Sequence, residues 1–264
     1  MARPARVEYV IFDMDGLLID TESVYTKVTS KHEILAPYGA KMTWDIKAGL
    51  MGRLERDAAA YLLSFFPDIP LTIDTYLSQR TVLQDTHWPT VQPLPGVRKL
   101  ISHLHAHNIP IAVATSSQRR NVLLKTAHLQ DIFGLFDGRI ACADDVRGKT
   151  IGKPDPYIFS YAASQKLGRG VGEGEGDSVT EEERREREKG LVFEDAIPGV
   201  QAGKRAGMSS ESIWVPDVNL LNVEYSGTHT PDQTLKSIEE FKPEEWGLPP
   251  YPENGQLYAP ASAK

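Results

Sequence analysis

Val7-Glu8-Tyr9-Val10-Ile11-Phe12-Asp13-Met14-Asp15-Gly16 decides how the rest of the chain is read. An apolar run ends abruptly in an acidic, glycine-containing turn, as a buried strand does when it meets a functional loop. Downstream the pattern repeats. Residues 97–104 carry Val97, Leu100, Ile101 and Leu104 at helical spacing, and 109–114 read as a strand. A helix is predicted over 121–129, a strand over 138–143, a helix over 157–167 and a strand over 191–193. A helix over 198–206 and a last strand over 212–215 complete the alternation. Such alternation predicts an α/β fold, a Rossmann-like parallel sheet with helices on both faces. Residues 21–92 break the pattern: they read as helices over 23–35, 54–66 and 74–85, and Pro93-Leu94-Pro95-Gly96 ends the block. This block is predicted to be a small inserted all-helical domain, with residues 1–20 and 93–264 forming the sheet-bearing core.

Composition sets the bounds. The chain has 264 residues, enough for such a core and an accessory domain. A formal net charge of −7 disfavours nucleic-acid polymers and anionic membrane surfaces as partners, while leaving room for a local basic pocket. Cys142 is the only cysteine, so no intrachain disulfide can form, and a reducing compartment is expected, cytoplasmic or also nuclear. No stretch is long and apolar enough for a membrane span. Two segments stand apart. Within the charged insert at 170–189, residues 173–189 hold 8 acidic and 4 basic side chains, predicting a solvated loop with a surface helix. The tail at 249–264 is Pro-rich.

In a parallel sheet, ligands gather beyond the carboxyl ends of the strands. Four such ends carry chemistry here. Asp13 and Asp15, two residues apart, can face one space, although such acids also cap turns. Thr115, Ser116 and Ser117 can cap a helix or hold an anion. Lys153, in Gly152-Lys153-Pro154, would by default be a solvated surface residue. Glu194-Asp195 could merely cap the following helix. Each signal is weak alone. Together they supply a nucleophile, an acid/base, phosphate donors, a cation and oxygen ligands for a hard metal, which is what phosphoryl transfer requires.

The set Asp13-Met14-Asp15-Gly16, Thr115, Lys153-Pro154 and Glu194-Asp195 resembles the four motifs of the haloacid dehalogenase-like hydrolase superfamily over nearly the whole chain. Phe12 to Glu22, Met51-Gly52, Ala114 to Ser117, Val192 to Ala196, Val215-Pro216-Asp217 and Trp246 to Pro249 look most similar to its pseudouridine-5′-phosphate phosphatase group. The resemblance implies a helical cap over residues 21–92 and a phosphatase acting through an aspartyl-phosphate. It implies Asp13 as nucleophile, Asp15 as acid/base, and Thr115, Ser116 and Lys153 on the phosphate. It implies Mg2+ held by Asp13, the Asp15 carbonyl and Asp195, with Glu194 as a direct or water-mediated helper. Glu22, Tyr25, Gly52 and Arg53 are the candidate substrate contacts of the cap. The expected substrate is a small phosphorylated metabolite, led by pseudouridine 5′-phosphate, with sugar or glycerol phosphates as alternatives; a monomer is expected.

Other readings are weaker. A sugar phosphomutase would share the motifs, but Tyr25 stands where those relatives carry a proton-shuttling histidine. A non-catalytic binding protein would be expected to lack a motif residue, and none is missing. Haloacid dehalogenation does not need Asp15 or a magnesium site. His103 and His107 could share a helix face, though a metal site there is not favoured, and Cys142 reads as a small buried hydrophobe.

Overall fold

The computed structural model describes residues 6–31, 34–50, 55–146, 148, 152–208, 212–221 and 225–252. The chain opens with β1 (Tyr9–Phe12), followed by α1 (Thr21–Thr26), α2 (Trp44–Leu50), α3 (Glu55–Ser64) and α4 (Ile73–His87). Then come α5 (Val97–Ala106), β2 (Ile111–Ala114), α6 (Arg119–Thr126), α7 (Gln130–Phe133) and β3 (Ile140–Ala141). The remainder comprises α8 (Tyr157–Tyr161), α9 (Glu181–Arg187), β4 (Gly190–Glu194), α10 (Ile197–Arg205), β5 (Ser212–Trp214) and β6 (Gln233–Thr234).

The strands form one parallel sheet in the order β3-β2-β1-β4-β5-β6. β1 lies near the middle, with Phe12 in register with Val113 of β2 and Phe193 of β4. Every residue of β1 is buried, as expected of a strand covered on both faces. The pleat sorts its side chains. Val10 and Phe12 pack in one layer with Val97, Ile101 and Leu104 of α5, while Tyr9 and Ile11 pack in the other with Phe159 of α8 and Ala202 of α10. Phe12 stacks on Phe193 at 5.0 Å, which stiffens the sheet directly beneath the loop that bears Asp13.

Between residues 21 and 92 the described residues contain α1–α4 and no strand. The two connections to this helical block run side by side: Asp20 N donates to Gln92 O (2.9 Å) and Leu94 N to Leu18 O (3.1 Å). The helix expected over 23–35 is shorter. Asp20 caps it through Ser23 N at 3.0 Å, α1 stops at Thr26, and a π-helical turn follows over Lys27–Lys31.

Two sequence readings need correction. β5 is not the last strand, because β6 pairs beside it with Gln233 opposite Ile213. Its two polar residues leave no apolar run to recognise. The charged insert does form an exposed loop and surface helix, as expected, but one of its charged residues departs from that reading. α9 begins with a capping box of Thr180 and Glu183, and Glu181 and Arg185 point to water. Arg187, however, is buried and donates to Val171 O (2.6 Å) and Gly174 O (2.9 Å). Tyr9, at the start of β1, donates its hydroxyl to Glu186 O (3.3 Å), so the insert packs at the end of the sheet opposite Asp13.

His103 is buried and donates from Nε2 to Pro249 O (2.7 Å), which fixes the start of the tail. Cys142 is fully buried, and burial pushes its thiol up to about 11.

Candidate active site

The carboxyl ends of β1, β2 and β4 place Asp13, Thr115 and Glu194 side by side, because those strands are neighbours in the sheet. The backbone continues the ladder past the strands: Asp13 N donates to Phe193 O and Thr115 N to Ala141 O, each at 3.0 Å. Lys153, from the loop before α8, reaches in over the ring of Phe159. Its ammonium donates to Asp13 Oδ1, to Glu194 Oε1 (2.6 Å) and to Ala114 O (3.1 Å).

Asp13, Glu194 and Asp195 are buried, with carboxylate oxygens within 4.8 Å of one another. Burial pushes Asp13 up to about 7, with Lys153 opposing the shift and Glu194 and Asp15 adding to it. Asp195 rises well above the ordinary carboxylate value, first through burial and then through repulsion from Glu194 and Asp13. Lys153 rises despite burial because Asp13 and Glu194 flank it. Three buried carboxylates facing one ammonium leave uncompensated negative charge, and all the donors are hard oxygens. That set fits a divalent cation of the magnesium type.

The surrounding backbone aims these groups. Glu194 Oε2 accepts from Asp195 N (3.1 Å) and Ala196 N (3.3 Å), and Oε1 is held by Lys153. Gly199 of α10 leaves room for this carboxylate: a Cβ there would lie 1.9 Å from Glu194 Oε1. Trp214 Nε1 donates to Asp195 O (2.8 Å). Gly16 has φ +82°, and a side chain there would meet Asp195 Oδ2 at 2.4 Å, so the turn after Asp15 requires glycine twice over.

Asp15 points elsewhere. Its Oδ1 accepts from Lys125 Nζ (2.6 Å), and its Oδ2 accepts from Ser117 Oγ (2.7 Å) and Thr115 Oγ1 (3.3 Å). Burial pushes this carboxyl up, but the Lys125 ammonium and the hydrogen bonds outweigh it and hold Asp15 below its ordinary value. Ser116 is exposed, and Ser117 is the serine that joins the cluster. Lys125 carries no motif and was missed by sequence reading. Its one signal is its place on the buried face of α6 with Val122 and Thr126.

In the helical block, Glu22 of α1 forms an ion pair with Lys47 of α2 (2.9 Å), and Lys47 also donates to Thr26 Oγ1 (3.0 Å). Glu22 borders the carboxylates, its Cγ lying 3.4 Å from where a Cβ on Gly16 would sit. Tyr25 packs edge-on against Trp88 at 5.4 Å and keeps its proton, burial pushing it up to about 12. Gly52 and Arg53 lie outside the described residues.

Comparison with known proteins agrees with this arrangement. A family model described as haloacid dehalogenase-like hydrolase matches residues 7–207. An Arabidopsis thaliana protein named (DL)-glycerol-3-phosphatase 2 is 40% identical over 247 residues, covering 93% of each chain. A Drosophila melanogaster protein named "Probable pseudouridine-5'-phosphatase" is 35% identical over 246 residues, covering 93% of this chain and 96% of its own. The crystal structure of a HAD hydrolase of family IA, variant 3, from Entamoeba histolytica superposes with a TM-score of 0.65 at 22% identity. The superposition covers 91% of this chain and 98% of that one, and supports the fold. With three strand-end motifs and the loop bearing Lys153 converging in space, and a family match over residues 7–207, the chain belongs to the haloacid dehalogenase-like hydrolases.

Proposed function

We propose that the protein is a magnesium-dependent phosphomonoesterase that acts on a small phosphorylated metabolite through an aspartyl-phosphate on Asp13. The observation that carries this reading is the contact of Lys153 with both Asp13 and Glu194, within a buried carboxylate cluster at the sheet's carboxyl edge. Asp13 attacks phosphorus as the ester oxygen leaves, and Asp15, ionised in the free enzyme and taking up a proton as the phosphate group binds, gives that proton to the leaving oxygen. A water molecule then attacks the aspartyl-phosphate, and Asp15 takes its proton. Thr115, with amides of the following turn including that of Ser116, holds phosphate oxygens. Lys153 offsets charge on Asp13 and on the phosphoryl group. Asp13, the Asp15 carbonyl and Asp195 would hold Mg2+, which supplies charge neutralisation and polarises a phosphoryl oxygen. Both oxygens of Glu194 are already bonded to Lys153 and to backbone amides, which favours contact with the metal through water.

Residues 21–92 act as the cap and choose the leaving group, with Glu22, Tyr25, Gly52 and Arg53 as its contacts. The Glu22–Lys47 pair adds a donor and an acceptor without net charge, which suits a neutral, hydroxylated leaving group. Glycerol 3-phosphate and pseudouridine 5′-phosphate both meet that description. The higher identity of the glycerol-3-phosphatase relative puts glycerol 3-phosphate first. No helix among the described residues is long and apolar enough to cross a membrane. We take the enzyme to act as a monomer in the cytoplasm.

The test is phosphate release, with and without Mg2+, from these two compounds, uridine 5′-phosphate, 2-deoxyglucose 6-phosphate and β-glucose 1-phosphate. Release from at least one, abolished by chelation, supports the reading. No release from any, with glucose 1-phosphate converted to its 6-phosphate, would contradict it.

A further inference from the structure

We propose that Lys125 is a positioning residue for Asp15, fixing one carboxylate oxygen so that the other is presented to the phosphoryl group; this rests on the phosphatase reading above. Lys125 is 1% exposed, and its ammonium touches the reaction centre only through Asp15 and Ser117. Nζ lies 2.6 Å from Asp15 Oδ1 and 3.0 Å from Ser117 Oγ, and Ser117 Oγ donates to Asp15 Oδ2 at 2.7 Å. These contacts close a ring, Oδ1 to Lys125 to Ser117 to Oδ2, which fixes both the place and the rotation of the carboxylate.

The two oxygens are not equivalent. Oδ1 is held by a charge-assisted bond, whereas Oδ2 accepts from the neutral hydroxyls of Ser117 and Thr115, with no cation on it among the described residues. A bond to an ammonium is roughly twice as strong as one to a hydroxyl, so Oδ2 is the atom that exchanges its partners. Oδ2 also faces Thr115, which sits at the end of β2 beside Asp13. The other side of the ammonium is covered by the helical block: the Trp88 ring centre lies 4.4 Å away and that of Tyr25 5.9 Å away. Lys125 is thereby held from both sides, by the carboxylate of the core and by the aromatic faces of the cap.

The two half-reactions separate this role from a merely structural ion pair. In the first, an oxygen of Asp13 bonds to phosphorus, the ester P–O bond breaks, and the proton of Asp15 goes to the leaving oxygen. In the second, a water oxygen bonds to phosphorus, the Asp13–phosphorus bond breaks, Asp15 takes the water's proton, and orthophosphate leaves. p-Nitrophenolate departs without a proton, so with p-nitrophenyl phosphate only the second half depends on a well-aimed Asp15.

The experiment is stopped-flow and steady-state turnover of p-nitrophenyl phosphate by the wild type, Lys125→Met and Lys125→Arg, with Mg2+. For Lys125→Met the expected result is a nitrophenolate burst stoichiometric with enzyme, then a steady rate about tenfold to a hundredfold below wild type. The Michaelis constant falls along with the steady rate, because slowing only the second half lowers both, and Lys125→Arg recovers part of the steady rate. Equal loss of burst and steady rates, or no loss of either, would overturn the proposal. Should Lys125→Met fail to fold, Ser117→Ala opens the same ring at another corner and is read the same way: retained burst with slowed turnover supports it, unchanged turnover overturns it. A wild type that hydrolyses no phosphomonoester with Mg2+ removes the phosphatase reading itself, and the role of Lys125 with it. An active wild type whose variants show no burst removes only the role of Lys125.

Discussion

The Lys153 ammonium lies 2.6 Å from Glu194 Oε1 while it also contacts Asp13 Oδ1, so one buried cation ties together the carboxyl ends of β1 and β4. Replacing it by methionine removes the cation that, among the described residues, pairs with Asp13 and Glu194. Lys153→Met is expected to lose roughly a hundredfold or more in kcat, the scale seen when a group that stabilises developing charge is removed. Its melting temperature should also fall more than that of the wild type when Mg2+ is chelated. Near-normal turnover would contradict the role given to Lys153.

Magnesium should stabilise the protein more as pH rises. Asp13 is raised from 3.8 to about 7 in the folded state, and Asp195 moves the same way. A carboxyl whose pKa is higher folded than unfolded binds more protons when folded, so its contribution to stability is full below its unfolded value and lost as pH climbs through the folded one. Chelated protein is therefore expected to melt at a lower temperature at about pH 8 than at about pH 5.5, two values that bracket the upper end of the Asp13 shift from 3.8 to about 7. Added Mg2+ should restore more at the higher pH. Asp15, held below its ordinary value, acts in the opposite sense, but only as pH falls through the acid range. Thermal melts across pH with and without Mg2+ test this. A magnesium effect that is constant or shrinks with pH would refute it.

Gly199→Ala isolates geometry from helix propensity. Alanine is the better helix former by about 1 kcal/mol, so α10 gains intrinsically from the change. Its Cβ would nonetheless sit 1.9 Å from Glu194 Oε1 and force that carboxylate off Lys153. The expected outcome is a folded protein with activity lower by about tenfold or more and a higher Mg2+ requirement. Full activity at the wild-type Mg2+ concentration would show that the placement of Glu194 is unimportant.

The Glu22–Lys47 pair should affect substrate choice rather than chemistry. Lys47→Met is expected to raise the Michaelis constant for glycerol 3-phosphate or pseudouridine 5′-phosphate by up to about tenfold, as for loss of a charged hydrogen-bonding partner. Turnover of p-nitrophenyl phosphate, which carries no hydroxylated leaving group, should change little. Equal effects on both substrate types would place the pair in the fold's support rather than in recognition.

Apart from Lys153, which sits in a loop before α8, the parts of the site readable in advance share one property: each lies at or just after the end of an apolar run. Asp13 follows Tyr9–Phe12, Thr115 follows Ile111–Ala114, and Glu194 with Asp195 ends and follows β4. A strand end is visible in sequence because hydrophobicity stops there. Lys125 is invisible on that rule, since it lies within a helix and its partners Asp15 and Ser117 come from two other loops. Nor does α6 show a clear apolar stripe that would mark its inward face, so only the position of Lys125 three residues after Val122 was available as a hint. Ser117 reaches Asp15 while the Ser116 side chain turns to solvent, a contact that the sequence does not announce because both serines follow the same apolar run. Arg187 shows the limit of composition: its neighbours face water, yet its guanidinium is buried against two backbone carbonyls. The short β6 has no hydrophobic signal and is set only by pairing with β5.

The central claim is that phosphate passes through Asp13. Rapid acid quench during turnover of p-nitrophenyl phosphate, followed by borohydride reduction and peptide mass spectrometry, tests it most directly. A reduced residue is expected at Asp13 in the peptide carrying Asp13-Met14-Asp15, absent from unreacted enzyme and from Asp13→Asn. Reduction at a different residue, or full turnover by Asp13→Asn, would contradict it.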